Sequence, residues 1–201
     1  MNLRPTISKE ELDRMPKVKF QGSIHVVQTI DKTKEAIAHL LCRKAVGIDS
    51  ETRPSFTKRK THQVSLLQVA SEDCCHLFRL NITGLIKPLI ELLENPGIVK
   101  IGLSLRDDFR VLHKLGAFTP QSCIDLQDYV CPFGIQDKSL QKIYAILFEE
   151  KISKAQRLSN WESDTLTDAQ QLYAATDAWA CLQIYNLLIR INSHELSKSI
   201  S

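Results

Sequence analysis

Apolar positions change their spacing along this chain, and the change divides it into two halves. Short runs rich in branched and aromatic residues mark strand candidates at 20–27, 45–51, 62–70, 75–80, 98–102 and 123–126. Helical spacing marks 31–42, where Ala36, Ile37, Leu40 and Leu41 share a face, then 85–93, 104–113, 139–148 and a long stretch from Thr167 to about Ile191. Asp31 is expected to cap its helix, Ser104 and Ser139 to open theirs, and Asn95-Pro96-Gly97 to stop the 85–93 helix. Thr167 with Gln170 three residues on reads as a capping box.

Three neighbouring strands joined by short loops predict a meander, and the later strand–helix alternation predicts a mixed α/β sheet with helices on both faces. The polar residues 1–19 read as a loose or short-helical lead-in, 20–191 as the domain, and 192–201 as a frayed tail. At 201 residues, 43% hydrophobic and 24% charged, the chain is long enough to bury one ordinary core. A formal charge of +3 is too small to argue for nucleic acid by itself. No run of 18 apolar residues is present to span a membrane. Six cysteines without a Cys-x-x-Cys spacing, behind a charged amino terminus with no signal core, predict reduced thiols in a cytoplasmic protein. Cys74-Cys75-His76 is too cramped for a zinc knuckle, so a structural zinc is set aside.

Chemistry enters at the end of the 45–51 strand. Asp49 and Glu51 are two residues apart and therefore point to the same face. Two carboxylates at the end of an apolar strand are costly to bury, and a divalent cation compensates them, although such a pair alone is more often a solvated strand edge. Tyr173 and Asp177, four apart, share a helix face that Ala180 and Ile184 continue as an apolar stripe. On the 104–113 helix Leu105, Asp108 and Leu112 fall on one stripe, which favours Asp108 over Asp107 as a third inward carboxylate. Lys58-Arg59-Lys60, in the loop after the acidic strand, reads either as a phosphate contact or as a solvated loop. Trp161 reads either as a stacking partner for a base or as a plug at the edge of the core.

Val46-Gly47-Ile48-Asp49-Ser50-Glu51, Gly102-Leu103-Ser104-Leu105-Arg106-Asp107-Asp108, Ser159-Asn160-Trp161 and Tyr173-Ala174-Ala175-Thr176-Asp177-Ala178 follow one another in a specific order. Together they resemble the DEDD superfamily of 3'-5' exonucleases, in its RNase D-like tyrosine branch, and most closely the Werner-type domains, over about residues 20–191. The sister branch places a histidine where this chain has Leu172. The resemblance implies a ribonuclease H-like fold, a mixed five-stranded sheet of an antiparallel meander followed by parallel strands, flanked by helices. It implies that Asp49, Glu51, Asp108 and Asp177 hold two divalent ions, magnesium or manganese, and that Tyr173 orients the attacking water. Gly102 aligns so as to favour Asp108. Ser50 and Thr52 would approach the terminal nucleotide through backbone groups, with Thr52 departing from the aromatic residue common in Werner-type domains.

The implied reaction is metal-dependent hydrolysis of phosphodiester bonds from the free 3' end of DNA or RNA, releasing nucleoside 5'-monophosphates. Its partner is nucleic acid; without a fused helicase domain, any helicase or repair partner is expected in trans, and without room for the extra helical domains of RNase D a tRNA-processing role is not implied. A catalytically inactive nucleic-acid-binding module is the alternative. Retention of all four carboxylates and the tyrosine argues against it, because an uncompensated charge cluster is a burden to a binding-only domain.

Overall fold

The computed structural model describes residues 3–57 and 61–199, with side chains described to residue 193. In chain order the elements are α1 (Lys9–Arg14), β1 (Ser23–Val27), α2 (Ile30–Leu40), β2 (Ala45–Thr52), β3 (Val64–Ala70), β4 (Cys74–Arg79), α3 (Leu80–Thr83) and α4 (Lys87–Glu94). They continue with β5 (Val99–Gly102), α5 (Leu105–Leu112), β6 (Cys123–Asp125), α6 (Leu126–Tyr129), a 3-10 turn at Cys131–Phe133, α7 (Leu140–Phe148) and α8 (Asp168–Ser199).

Local chemistry explains most boundaries and corrects a few. The capping box at α8 is formed: Gln170 N donates to Thr167 Oγ1 at 3.2 Å and Thr167 N to Gln170 Oε1 at 3.0 Å. Ser139 caps α7 through Lys142 N. At α2 the cap is Thr29, whose side chain accepts from Lys32 N, and Asp31 sits inside the first turn, where its charge favours the positive end of the helix dipole. α8 runs to Ser199 instead of ending near Ile191, because no glycine or proline interrupts it. The lead-in is short-helical and packed: Ser8 makes a capping box with Glu11, Ile7 and Leu12 are buried, and Ile7 N donates to Asp137 Oδ2 at 2.9 Å.

The sheet is mixed, in the order β1-β4-β3-β2-β5-β6. β2, β3 and β4 form the antiparallel meander, and β5 and β6 continue parallel to β2. Among the described residues it has six strands, one for each candidate segment, where the resemblance implied five; β1, inside the 20–27 candidate, pairs parallel to β4. That pairing covers an edge the meander would otherwise leave open. All seven positions of β3 and all six of β4 are buried, as befits strands covered on both faces.

Register sorts the side chains onto those two faces. Gly47 lies opposite Ala70, and Asp49 opposite Gln68, which in turn faces Leu77; these residues share the face packed against α8. There Leu66, Ala70, Cys75 and Leu77 meet Ala174, Ala175 and Ala178, with Phe20 and Trp161 at the side. The other face carries Val46, Ile48, Leu67, Val69 and Phe78 under Ala36, Ile37 and Leu40 of α2 and Leu89, Leu92 and Leu93 of α4. Among the described residues no helix is long and apolar enough to cross a membrane. All six cysteines are free thiols.

β2 and α8 touch backbone to backbone, since a Cβ added at Gly47 would lie 1.9 Å from the Ala178 carbonyl oxygen. Gly47→Ala is therefore expected to destabilise the domain by about 1–3 kcal/mol, the usual effect of overpacking. Gly116→Ala is the control in the same urea titration, because its methyl would meet nothing nearer than 3.8 Å.

Candidate active site

Two elements bring three carboxylates together. Asp49 and Glu51 project from the carboxyl end of β2 toward α8, which presents Asp177 one turn after Tyr173. One carboxylate oxygen from each of Asp49, Glu51 and Asp177 lies within 4.8 Å of the other two. Asp177 is 8% exposed, and its Oδ1 has no hydrogen-bond partner. Asp108 arrives from α5, where Ser50 Oγ donates to its Oδ1 at 2.5 Å. Asp107 is exposed and pairs with Arg110 at 3.0 Å, so the helical-stripe preference for Asp108 agrees with the geometry.

The start of α5 is set differently from expectation. Ser104 holds a left-handed conformation, φ 61°, and its side chain makes no cap. The cap is the Asp125 carboxylate at the end of β6, which accepts from Ser104 N at 3.0 Å and Leu105 N at 2.8 Å. Its distance from the helix in sequence hides it from any local reading.

Burial and mutual repulsion dominate the electrostatics. Asp49 is raised well above the ordinary carboxylate range, by burial first and by Asp177 second. Glu51 is raised by burial and then by Asp49, Asp177 and Asp108, with Arg157 opposing. Asp108 follows through burial and Asp49, against the Ser50 hydrogen bond. Asp177 is raised by burial, with the Tyr173 hydroxyl and Lys154 pulling the other way. Burial and the Asp177 and Glu51 charges also raise Tyr173, so it stays a neutral phenol. A buried oxygen without a partner and an all-oxygen donor set fit a hard divalent cation such as magnesium or manganese.

Comparison with known proteins agrees with this geometry. A family described as 3'-5' exonuclease matches residues 24–191. The chain belongs to that 3'-5' exonuclease family. It is 30% identical over 189 residues to the mouse bifunctional 3'-5' exonuclease/ATP-dependent helicase WRN, covering 88% of this chain and 13% of that protein. Ribonuclease D of Gluconacetobacter diazotrophicus is 28% identical over 180 residues, covering 88% of this chain and 44% of that protein. The chain thus spans less than half the length of either curated relative. Trypanosoma brucei RNase D in complex with RNA U12 superposes with a TM-score of 0.74 at 21% identity, covering 92% of this chain and 66% of that one. The motif-based resemblance and the ribonuclease H-like fold are both borne out.

In this exonuclease-family chain Asp49, Glu51 and Asp177 line a cleft of about 410 Å³ shared with Tyr173, Cys181, Lys138, Lys154 and Arg157. The last three cations were missed in the sequence. Lys154 and Arg157 lie in a loop without periodicity, and their one signal was a basic run, Lys151, Lys154 and Arg157, just ahead of Ser159-Asn160-Trp161. Trp161 is not available to stack on a base: it is 0% exposed and packs against the Tyr173 ring at 6.0 Å between centroids. The plug reading is the correct one, because an indole with Leu66, Leu77 and Ala174 around it removes more apolar surface from water than an exposed one. Thr52 is half-buried beside an irregularity in the β2–β3 register between Glu51 and Thr52. Lys58, Arg59 and Lys60 lie outside the described residues. Glu162 ties the two loops flanking the cleft, accepting from Arg53 at 3.1 Å and meeting His62 at 2.8 Å.

Because the folded values of these carboxylates lie above their unfolded ones, the native state holds the extra protons. Stability from this source is complete below the ordinary carboxylate value, about 4, and is lost as pH rises through the raised values. In chelator, the thermal midpoint of the wild type should fall more steeply between about pH 6 and about pH 9 than that of Asp177→Asn. Added manganese should remove most of that difference. Parallel curves in differential scanning fluorimetry would refute the charge crowding.

Proposed function

We propose that this chain is a metal-dependent 3'-5' exonuclease that hydrolyses phosphodiester bonds at the free 3' end of DNA or RNA and releases nucleoside 5'-monophosphates. The observation that carries this reading is the convergence of Asp49, Glu51 and Asp177 within 4.8 Å, beside a neutral Tyr173. Asp49, Glu51, Asp108 and Asp177 would hold two divalent ions, magnesium or manganese. Such ions, when bound, lower the pKa of water and stabilise the charge that develops on the leaving 3'-oxygen.

The chain's own groups supply position. Tyr173 keeps its proton, so its hydroxyl both donates and accepts, and it orients the attacking water without adding charge. Ser50 fixes Asp108 through its side chain. Its expected contact with the terminal nucleotide therefore falls to the backbone alone, with that of Thr52 beside it. Lys154 and Arg157 line the cleft where they can meet substrate phosphates, the contacts that supply most affinity independent of sequence. Phe56, 82% exposed on the loop after β2, offers a face on which a base can stack.

Support for the substrate class comes from the relatives named ribonuclease D and from the one solved with RNA U12. A helicase partner in trans is suggested by the joint exonuclease and helicase name of the mouse relative. Six free thiols favour a cytoplasmic setting.

The test uses 5'-labelled single-stranded and 3'-recessed DNA and RNA with magnesium, manganese or chelator. A metal-dependent ladder shortening from the 3' end is expected. Asp177→Asn should lose more than about 100-fold in rate, beyond what substitution of a metal's outer-shell partners costs. Binding without a ladder would establish the non-catalytic module, and cutting of circular substrates an endonuclease. Replacing both Lys154 and Arg157 with Ala should raise KM with little effect on kcat and flatten the salt dependence of binding to single strands by about 0.7 in log–log slope per lost contact. An unchanged slope would remove them from the substrate path.

A further inference from the structure

A second donor cluster sits on the opposite face of the sheet from the carboxylates. Cys74 and His76 are two apart on β4 and so share a face. That face is the α2 side, because His76 lies opposite Val69, whose own partner is Ile48, while Asp49 points the other way. His39, near the end of α2, completes the group, with one donor atom from each of His39, Cys74 and His76 within 4.8 Å of the others. His76 Nε2 lies 3.4 Å from His39 Nδ1 and 3.5 Å from Cys74 Sγ.

Those two separations match edges of a tetrahedron around a metal. With metal–nitrogen bonds of about 2.0–2.1 Å and a metal–sulfur bond of about 2.3 Å, a tetrahedral ion sets nitrogen–nitrogen edges of about 3.3–3.4 Å and nitrogen–sulfur edges of about 3.5–3.6 Å. We propose that His39 Nδ1, Cys74 Sγ and His76 Nε2 form a binding site for a borderline-soft divalent ion of the zinc class, which ties α2 to β4.

Without the ion, protons hold the same place. Arg43 can only donate, and its Nη2 lies 2.9 Å from His39 Nε2, so the single proton of a neutral His39 is on Nδ1, between the two rings. The Cys74 thiol, raised by burial, keeps its proton as well. His76 is pushed down to about 4, by burial first and by His25 and His39 after, and is neutral; with both donors facing its Nε2, its own proton sits on Nδ1, a buried nitrogen without a hydrogen-bond partner. An entering ion takes the Nδ1 lone pair of His39 as that ring's proton moves to Nε2, and it takes the Cys74 sulfur as the thiol proton leaves to solvent. One proton is released per ion. Arg43 then shifts from His39 to Asp73, which it already reaches at 3.3 Å. Two imidazoles and a thiolate select zinc, cobalt or nickel over magnesium and manganese, which prefer oxygen. Exposed His39 leaves the fourth position to water. A cleft of about 410 Å³ lined by His25, Lys32, Glu35 and His76 gives the ion a way in.

The test titrates the chelator-stripped full chain with cobalt in excess magnesium. One equivalent per chain should produce a thiolate-to-cobalt charge-transfer band, release one proton at neutral pH and be displaced by zinc. Cys74→Ser should abolish the band, whereas Cys181→Ser, beside the catalytic cleft, should leave it. His39→Ala, an exposed helical position that tolerates alanine, should weaken zinc by at least about tenfold and lose the zinc-induced rise in thermal midpoint while degrading nucleic acid at the wild-type rate with magnesium. A band that survives Cys74→Ser, or a zinc affinity unchanged in His39→Ala, would overturn the site.

Discussion

Crowding of negative charge at Asp49, Glu51 and Asp177 is the constraint that the surrounding structure has to absorb. Two like charges 4 Å apart repel by about 4 kcal/mol at the effective dielectric of a protein surface. Full burial of one large apolar side chain contributes about 1.5–3 kcal/mol. A few well-packed side chains therefore suffice to force the carboxylates together, and the packing between β2 and α8 supplies them. Small residues decide how close that packing comes. Gly47 lets the strand meet the Ala178 carbonyl, and Ala174 and Ala175 bring the helix down on Leu66 and Leu77. The carboxylates do not organise this contact; they are held by it, and the arrangement is ready for a cation before one arrives.

Around that contact, the remaining side chains of the site are held by groups distant in sequence. Asp108 depends on Asp125, which closes the amino end of α5, and on Ser50, which leaves β2 on the face opposite Asp49. The loop carrying Lys154 and Arg157 is pinned by Arg79, whose guanidinium donates to the Ser163 and Asp164 carbonyls, and by Gln170, which donates to the Asn160 carbonyl. Trp161 belongs to the same system, as the wall against which the Tyr173 ring rests. That wall limits where the Tyr173 phenol can point.

Where a feature is set by neighbours within a turn or along one strand, the sequence shows it. The Thr167 and Gln170 box, the alternation of Asp49 and Glu51, and the stripe that separates Asp108 from Asp107 are all of that kind. Trp161 was ambiguous because an aromatic beside a loop carries no periodicity, so only the packed structure could assign it to the core. The Asp125 cap, the loop cations and β1's pairing with β4 were hidden because each joins segments with no shared local pattern. His39 was hidden from the Cys74 and His76 pair for the same reason. Alternate residues on a strand share a face, so two ligands there need only one more from a helix above.

The two clusters obey one rule of geometry and differ in chemistry. Each begins as an i, i+2 pair on a strand and is completed by a helix lying on that face, α8 over Asp49 and Glu51, α2 over Cys74 and His76. The register places the pairs on opposite faces, so the sheet itself stands between them. Ligand hardness would keep ions at the two clusters apart. Carboxylates and water suit magnesium or manganese, which bind imidazole and thiolate weakly, while the nitrogen and sulfur donors favour zinc over either. An ion at His39, Cys74 and His76 therefore adds no charge to the carboxylate cleft and removes none of its ligands. Its influence on hydrolysis has to pass through the stability of the sheet, a far weaker route than direct coordination.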